Sequence, residues 1–150
     1  MKKTFNFSKL FATASLSLIA ASPILAQSNL GASCGCPAVS SRPDVIVSSM
    51  AGYVAVSGTY GGELTNGAAF TCQNNYILDK KIYIPSGKTL TIQPGTVIKG
   101  ANNPVAAEKT ALIIERGGKI IANGTESCPI VFTTQADPMD GTYLIKNNGM

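Results

Sequence analysis

Ile82–Gly100 reads IYIPSGKTLTIQPGTVIKG, and Leu112–Thr134, about thirty residues on, reads LIIERGGKIIANGTESCPIVFTT. Laid over one another, the two stretches say nearly the same thing. Ile82 falls on Leu112, Ile84 on Ile114, Gly87 on Gly117, Leu90 on Ile120 and Ile92 on Ala122. With the count shifted by one, Gly95-Thr96 falls on Gly124-Thr125. Short β-rich runs broken by glycine and repeated at this period are the mark of a solenoid, whose coils bury their apolar faces against the coils above and below. Function is therefore expected on a stacked surface and not in a closed pocket.

Within each copy the strands start only seven or eight residues apart, too close for a crossover helix. Pro85-Ser86-Gly87 and Pro94-Gly95 turn the chain. Three short strands and three turns per coil is a parallel β-helix. Alternation along a strand assigns the faces. Ile82, Ile84, Leu90 and Ile92 point inward, with Tyr83 and Thr91 outside. Leu112, Ile114, Ile120 and Ala122 occupy the same inward slots in the second copy, with Glu115 and Lys119 outside. On the third face Val97 competes with Ile98 for the interior, and Ile130 with Val131. Fifteen glycines and eight prolines exclude a helical protein. A β-sandwich would also show short strands at regular spacing, but has no reason to repeat itself every thirty residues.

The regular pattern starts near Asn75, so residues 75–150 are expected to form the coils and 27–74 a linker and N-terminal cap. In the cap, Val45–Val47 and Tyr53–Val56 read as strands, while Gly58–Gly67 reads as loop with a tight Asn66-Gly67 turn. Ala101–Lys109 reads as a loop thrown out between coils. Residues 1–26 read as a cleaved signal peptide: Lys2, Lys3 and Lys9 precede an apolar run, Leu10–Leu25, and small Ala26 marks the cut. Removing it takes three of twelve basic residues and none of eight acids, leaving nine against eight and a net charge of +1. Such a balance gives no footprint for nucleic acid, and no stable membrane insertion is expected after cleavage.

Cys34, Cys36, Cys72 and Cys128 remain in the exported chain. An even count outside the cytosol predicts disulfides. Cys34 and Cys36 are too close to pair with one another, so Cys72 is expected to join that pair or Cys128. With no histidine in the chain, a zinc site is disfavoured and a Ser-His-Asp triad is excluded.

The words LTIQPGTVIKG (Leu90–Gly100), LIIERGGKIIANGT (Leu112–Thr125) and CPIVFTT (Cys128–Thr134), in that order, resemble the opening coils of secreted bacterial right-handed parallel β-helix proteins, over about sixty residues. The resemblance implies the fold and an exported location. Such proteins typically run on through further coils and often end in a C-terminal sorting domain of the type IX secretion kind, of which this sequence shows no trace. Asn147-Asn148-Gly149-Met150 stands where a Trp-Gly-Gly-like word is expected, so the chain reads as the N-terminal portion of a longer protein.

The acids yield no catalytic constellation. Glu115 and Glu126 are the pair that would have to face each other across a sugar for glycoside hydrolysis, and both read better as solvated carboxylates at a strand end and a turn. Arg116 follows Glu115 and points to the opposite face. Asp137-Pro138-Met139-Asp140-Gly141 carries two carboxylates in a loop and would offer calcium two oxygens of the six to eight it takes, but reads better as an Asp-rich turn. Asn123-Gly124-Thr125 has the form of a glycosylation sequon and is expected to be a β-turn. The site expectation is accordingly empty: no catalytic, cofactor-binding or metal residues, and no cofactor. The expected function is that of a non-enzymatic, secreted or cell-surface scaffold contacting extracellular protein or glycan and self-associating through its open C-terminal coil edge. The alternative is the N-terminal part of a carbohydrate-active β-helix enzyme, a polysaccharide lyase or glycoside hydrolase, with its catalytic coils further along the chain.

Overall fold

The structure is a computed structural model and describes residues 30–102 and 108–140. The expected signal peptide lies outside these residues, as does the end pattern at 147–150. Eleven strands are present among the described residues, with three 3-10 turns at Ala32–Cys34, Val39–Ser41 and Val47–Ser49. The strands wind into three coils. The first holds β3 (Gly61–Leu64), β4 (Ala68–Phe70) and β5 (Asn75–Leu78). The second holds β6 (Lys81–Ile84), β7 (Thr89–Ile92) and β8 (Val97–Gly100), and the third β9 (Ala111–Ile114), β10 (Lys119–Ala122) and β11 (Val131–Thr134). Each strand pairs in parallel with its counterpart one coil on. A parallel pair needs a long crossover, and here the other two sides of the coil supply it. The protein is a parallel β-helix.

The repeat set the register of two sheets. Ile82 lies beside Leu112 and Ile84 beside Ile114. Leu90 lies beside Ile120 and Ile92 beside Ala122. Ile82, Ile84, Leu90 and Ile92 are all buried, and each such side chain contributes roughly 1.5–3 kcal/mol through burial.

The third sheet departs from the sequence match. Val97 pairs with Val131, so the corner before β11 is four residues longer than the corner before β8, and Gly95-Thr96 stacks on Pro129-Ile130, not on Gly124-Thr125. The chain bends at Glu126–Cys128 instead of turning at Asn123–Thr125. Equal glycine-threonine words had masked the insertion. The competition between Val97 and Ile98 resolves without a loser. Ile98 belongs to the interior with Tyr76 and Leu78, while Val97 faces out and packs against Val39 and Met139, with Leu30 and Val131 beside it. Ile130 likewise joins the interior and Val131 the outer cluster.

Gly61–Leu64 is a strand in the middle of the segment expected to be loop. Its pattern was hidden because Gly61 and Gly62 carry no side chain to alternate. A Cβ on Gly62 would stand 2.5 Å from Cζ of Tyr53, so the tyrosine ring fills the slot that the glycine leaves. Tyr53 belongs to β2 (Tyr53–Ala55), which pairs antiparallel with β3, while β1 (Asp44–Ile46) extends the sheet of β5 in parallel. Both strands were expected, and together they cover two of the three sheet edges at the N-terminal end. Asp79, just after β5, accepts hydrogen bonds from the backbone N–H of Ser48 at 3.1 Å and from its hydroxyl, fastening this cap to the first coil.

Candidate functional site

The most heavily built surface is one corner of the stack. Register places Cys72, Pro94 and Cys128 three residues before Asn75, Val97 and Val131, which pair in sequence. The three therefore occupy one position in three successive coils. Along them runs the segment 30–43, a strap lying across the coils. The composition of this stretch suggests a loose linker, but it is pinned by two disulfides. Cys36 joins Cys72 of the first coil, with Cα atoms 5.5 Å apart, and Cys34 joins Cys128 of the third, at 6.4 Å. The expectation that Cys72 pairs with Cys34/Cys36 or with Cys128 is met. The loops closed span 36 and 94 residues, for which the chain-entropy view assigns about 4–5 kcal/mol apiece.

Between the two cysteine rungs the strap crosses Gly95, whose φ is +78°. A Cβ there would lie 2.8 Å from Sγ of Cys36 and 3.1 Å from Cα of Gly31, so the middle coil offers the strap bare backbone. Arg42 closes the arrangement. Only 5% exposed, it donates from Nη1 to the Gly95 carbonyl at 2.8 Å, from Nη2 to Leu30 at 2.7 Å and from Nε to Pro37 at 2.9 Å. Its burial pulls the guanidinium down from its ordinary range, yet a group this basic stays charged, and the three carbonyls are what compensate the lost water. Asn75 adds donations from Nδ2 to the carbonyls of Val39 at 3.2 Å and Arg42 at 3.4 Å and to Oδ1 of Asp44 at 3.2 Å. Nothing in sequence spacing marks Arg42 or Asn75 for these tasks; both sit in runs that read as surface.

A family model described as a pectate-lyase-like beta helix domain matches residues 62–143. The chain belongs to this family. No curated protein and no solved structure matches it.

In this pectate-lyase-like β-helix the acids singled out by sequence stay apart. Glu115 follows β9 and Glu126 lies in the corner before β11, both exposed. The four-residue strand β10 stands between them, roughly 13 Å long at its usual rise, beyond the separations that glycoside hydrolysis uses. Asp137 is buried and engaged: Oδ1 accepts from the Met139 N–H at 2.8 Å, Oδ2 from the Thr133 hydroxyl at 2.7 Å, and its carbonyl takes Nζ of the buried Lys99 at 2.8 Å. Those bonds make it the anchor of a turn, and a cation placed there would face an ammonium group. No group of three or more metal-ligating side chains occurs among the described residues. A shallow, open cleft beside the third coil includes Asn102, Lys109, Phe132 and Thr133 in its lining, which supplies one cation and no carboxylate. The two disulfides suit an oxidising environment outside the cytosol, and no helix among the described residues is long and apolar enough to cross a membrane.

Proposed function

We propose that the protein is a secreted or cell-surface scaffold, non-enzymatic in itself, whose stacked outer faces contact extracellular protein or glycan. The observation that carries this reading is the strap: two disulfides and a buried arginine fix one side of three coils. The engaged polar groups described above (Arg42, Asn75, Asp79, Lys99 and Asp137) hold backbone in place and present no reacting atom. The stretch 1–26, read as a leader from its sequence, supports export with a mature start at Gln27, and the edge of the last coil left uncovered among the described residues supports self-association.

A second reading follows from the family's description: this chain is the opening part of a carbohydrate-active enzyme that acts on acidic polysaccharide through coils other than these. Incubation of the protein with polygalacturonate, followed by ultraviolet absorbance of unsaturated ends and by reducing-sugar release, tests the scaffold reading, and the same assay on a longer chain that carries further coils tests the second. The scaffold reading expects neither signal. Turnover that disappears when Glu115 or Glu126 is replaced by glutamine would overturn it and place the catalytic residues within the described coils.

A further inference from the structure

The two disulfides of the strap differ in access. Cys36 and Cys72 are 7% and 0% exposed, closing a bond sealed at both ends. Cys128 is also 0% exposed, but its partner Cys34 lies on the surface in the turn Ala32–Cys34, followed by exposed Gly35. Of the four cysteines, Cys34 is thus the one that lies open to a thiolate from solution. The leaving side is prepared as well. The Ser33 hydroxyl lies 3.1 Å from Sγ of Cys128, placed to hydrogen-bond the departing thiolate, and it also reaches the Ser127 carbonyl at 3.2 Å. Exchange is faster where the attacked sulfur is accessible and the leaving thiolate is stabilised.

We propose that Cys34–Cys128 is a thiol-exchange site through which an extracellular dithiol releases the third coil's corner from the strap while Cys36–Cys72 stays closed. The dithiol attacks Sγ of Cys34 as its thiolate, forming a mixed disulfide there and breaking the bond to Cys128, which leaves as a thiolate and takes a proton from water. The second thiol then attacks its own sulfur in the mixed disulfide, closing the reagent into an oxidised ring and freeing Cys34. Two electrons pass from the dithiol to the protein disulfide.

What this loosens is local. The strap's described bonds to the third-coil corner run through Ser33 and Cys34, whereas its hold on the first two coils runs through Cys36 and Arg42. The third coil keeps its ladder bonds, Gly95 N–H to the Cys128 carbonyl at 3.1 Å and Val131 N–H to Thr96 at 3.0 Å. It loses its covalent tether, keeps the apolar contact of Leu30 and Val39 with Val131 and Met139, and stays folded.

Native protein treated with limiting dithiothreitol, quenched with N-ethylmaleimide and mapped by mass spectrometry tests the assignment. Cys34 and Cys128 should be alkylated at least tenfold faster than Cys36 and Cys72, and a glutathione adduct trapped under the same conditions should sit on Cys34. In denaturant the two bonds should open together. Hydrogen exchange after selective reduction should quicken about tenfold at the amides of Cys128 and Val131 and leave Asn75 unchanged. Opening of both bonds at one rate in the native protein, an adduct on Cys128, or unchanged exchange in the third coil would each overturn the proposal.

Discussion

Tyr53 shows how a single side chain can close a solenoid and carry a cost in doing so. Its ring occupies the space above Gly62, but its hydroxyl is shut away without a hydrogen-bond partner in the described structure. An unpaired buried hydroxyl costs about 1–3 kcal/mol, so Tyr53→Phe should keep the plug and raise stability by about 1 kcal/mol in denaturant unfolding. Burial first, then the nearby Asp79 and Tyr60, raises the Tyr53 hydroxyl above the ordinary tyrosine range. The folded protein thus holds this proton to higher pH than the unfolded chain does. The associated stability is fully present below the unfolded value of about 10 and is lost as pH rises through the folded one. Melts of Tyr53→Phe should lose less between pH 9 and 11, roughly the range around the tyrosine pKa, than melts of the parent. At Gly95 the expected sign is opposite. Alanine there meets both a positive φ and the sulfur of Cys36, so Gly95→Ala should destabilise by about 2 kcal/mol or more and lower the yield of the Cys36–Cys72 bond in non-reducing peptide maps.

At the scale of the strand, alternation does the sorting. Ile84 points inward and is buried, while Ile121 points outward and is exposed. Ile84→Ala should cost about 2–5 kcal/mol and Ile121→Ala under about 0.5 kcal/mol by thermal melting; equal effects would mean the register is shifted by one. This alternation was legible in Ile82–Ile92 and Leu112–Ala122 because aliphatic residues fill the inward slots in both copies. It was not legible in Gly61–Leu64, where Gly62 leaves one inward slot bare and only Leu64 fills the other, so three coils read as two. The corner before β11 was misaligned because its extra four residues contain a glycine-threonine word like the one they displace. Val97 was ambiguous because strand periodicity reports which residues share a face, and cannot show that a distant strap turns an outer face into a second core. The cysteines pointed to disulfides but left open which pairs form, and Arg42 gave no sign, since its acceptors are carbonyls brought together only by folding.

Over the whole molecule the two ends are finished differently. The first coil carries β1 and β2 as covers, whereas among the described residues no strand pairs with the far sides of β10 and β11. Their inward residues Ile120 and Phe132 are 40% and 55% exposed, an apolar slot at an edge that no described strand covers, which invites another strand. Residues 27–150 made alone should therefore be marginally stable and associate with concentration. Phe132→Lys should shift size-exclusion and sedimentation profiles toward monomer, and an unchanged profile would show that this edge is not the contact. The strap adds a mechanical asymmetry to this picture. At one corner the strap links the first and third coils through two disulfides, while elsewhere successive coils are joined by the single backbone link where one coil passes into the next and by hydrogen bonds and apolar contacts. A load applied along the long axis therefore cannot part the coils evenly: the sulfur-bound corner holds its length while the opposite sheets spread, and the stack opens like a fan about that corner.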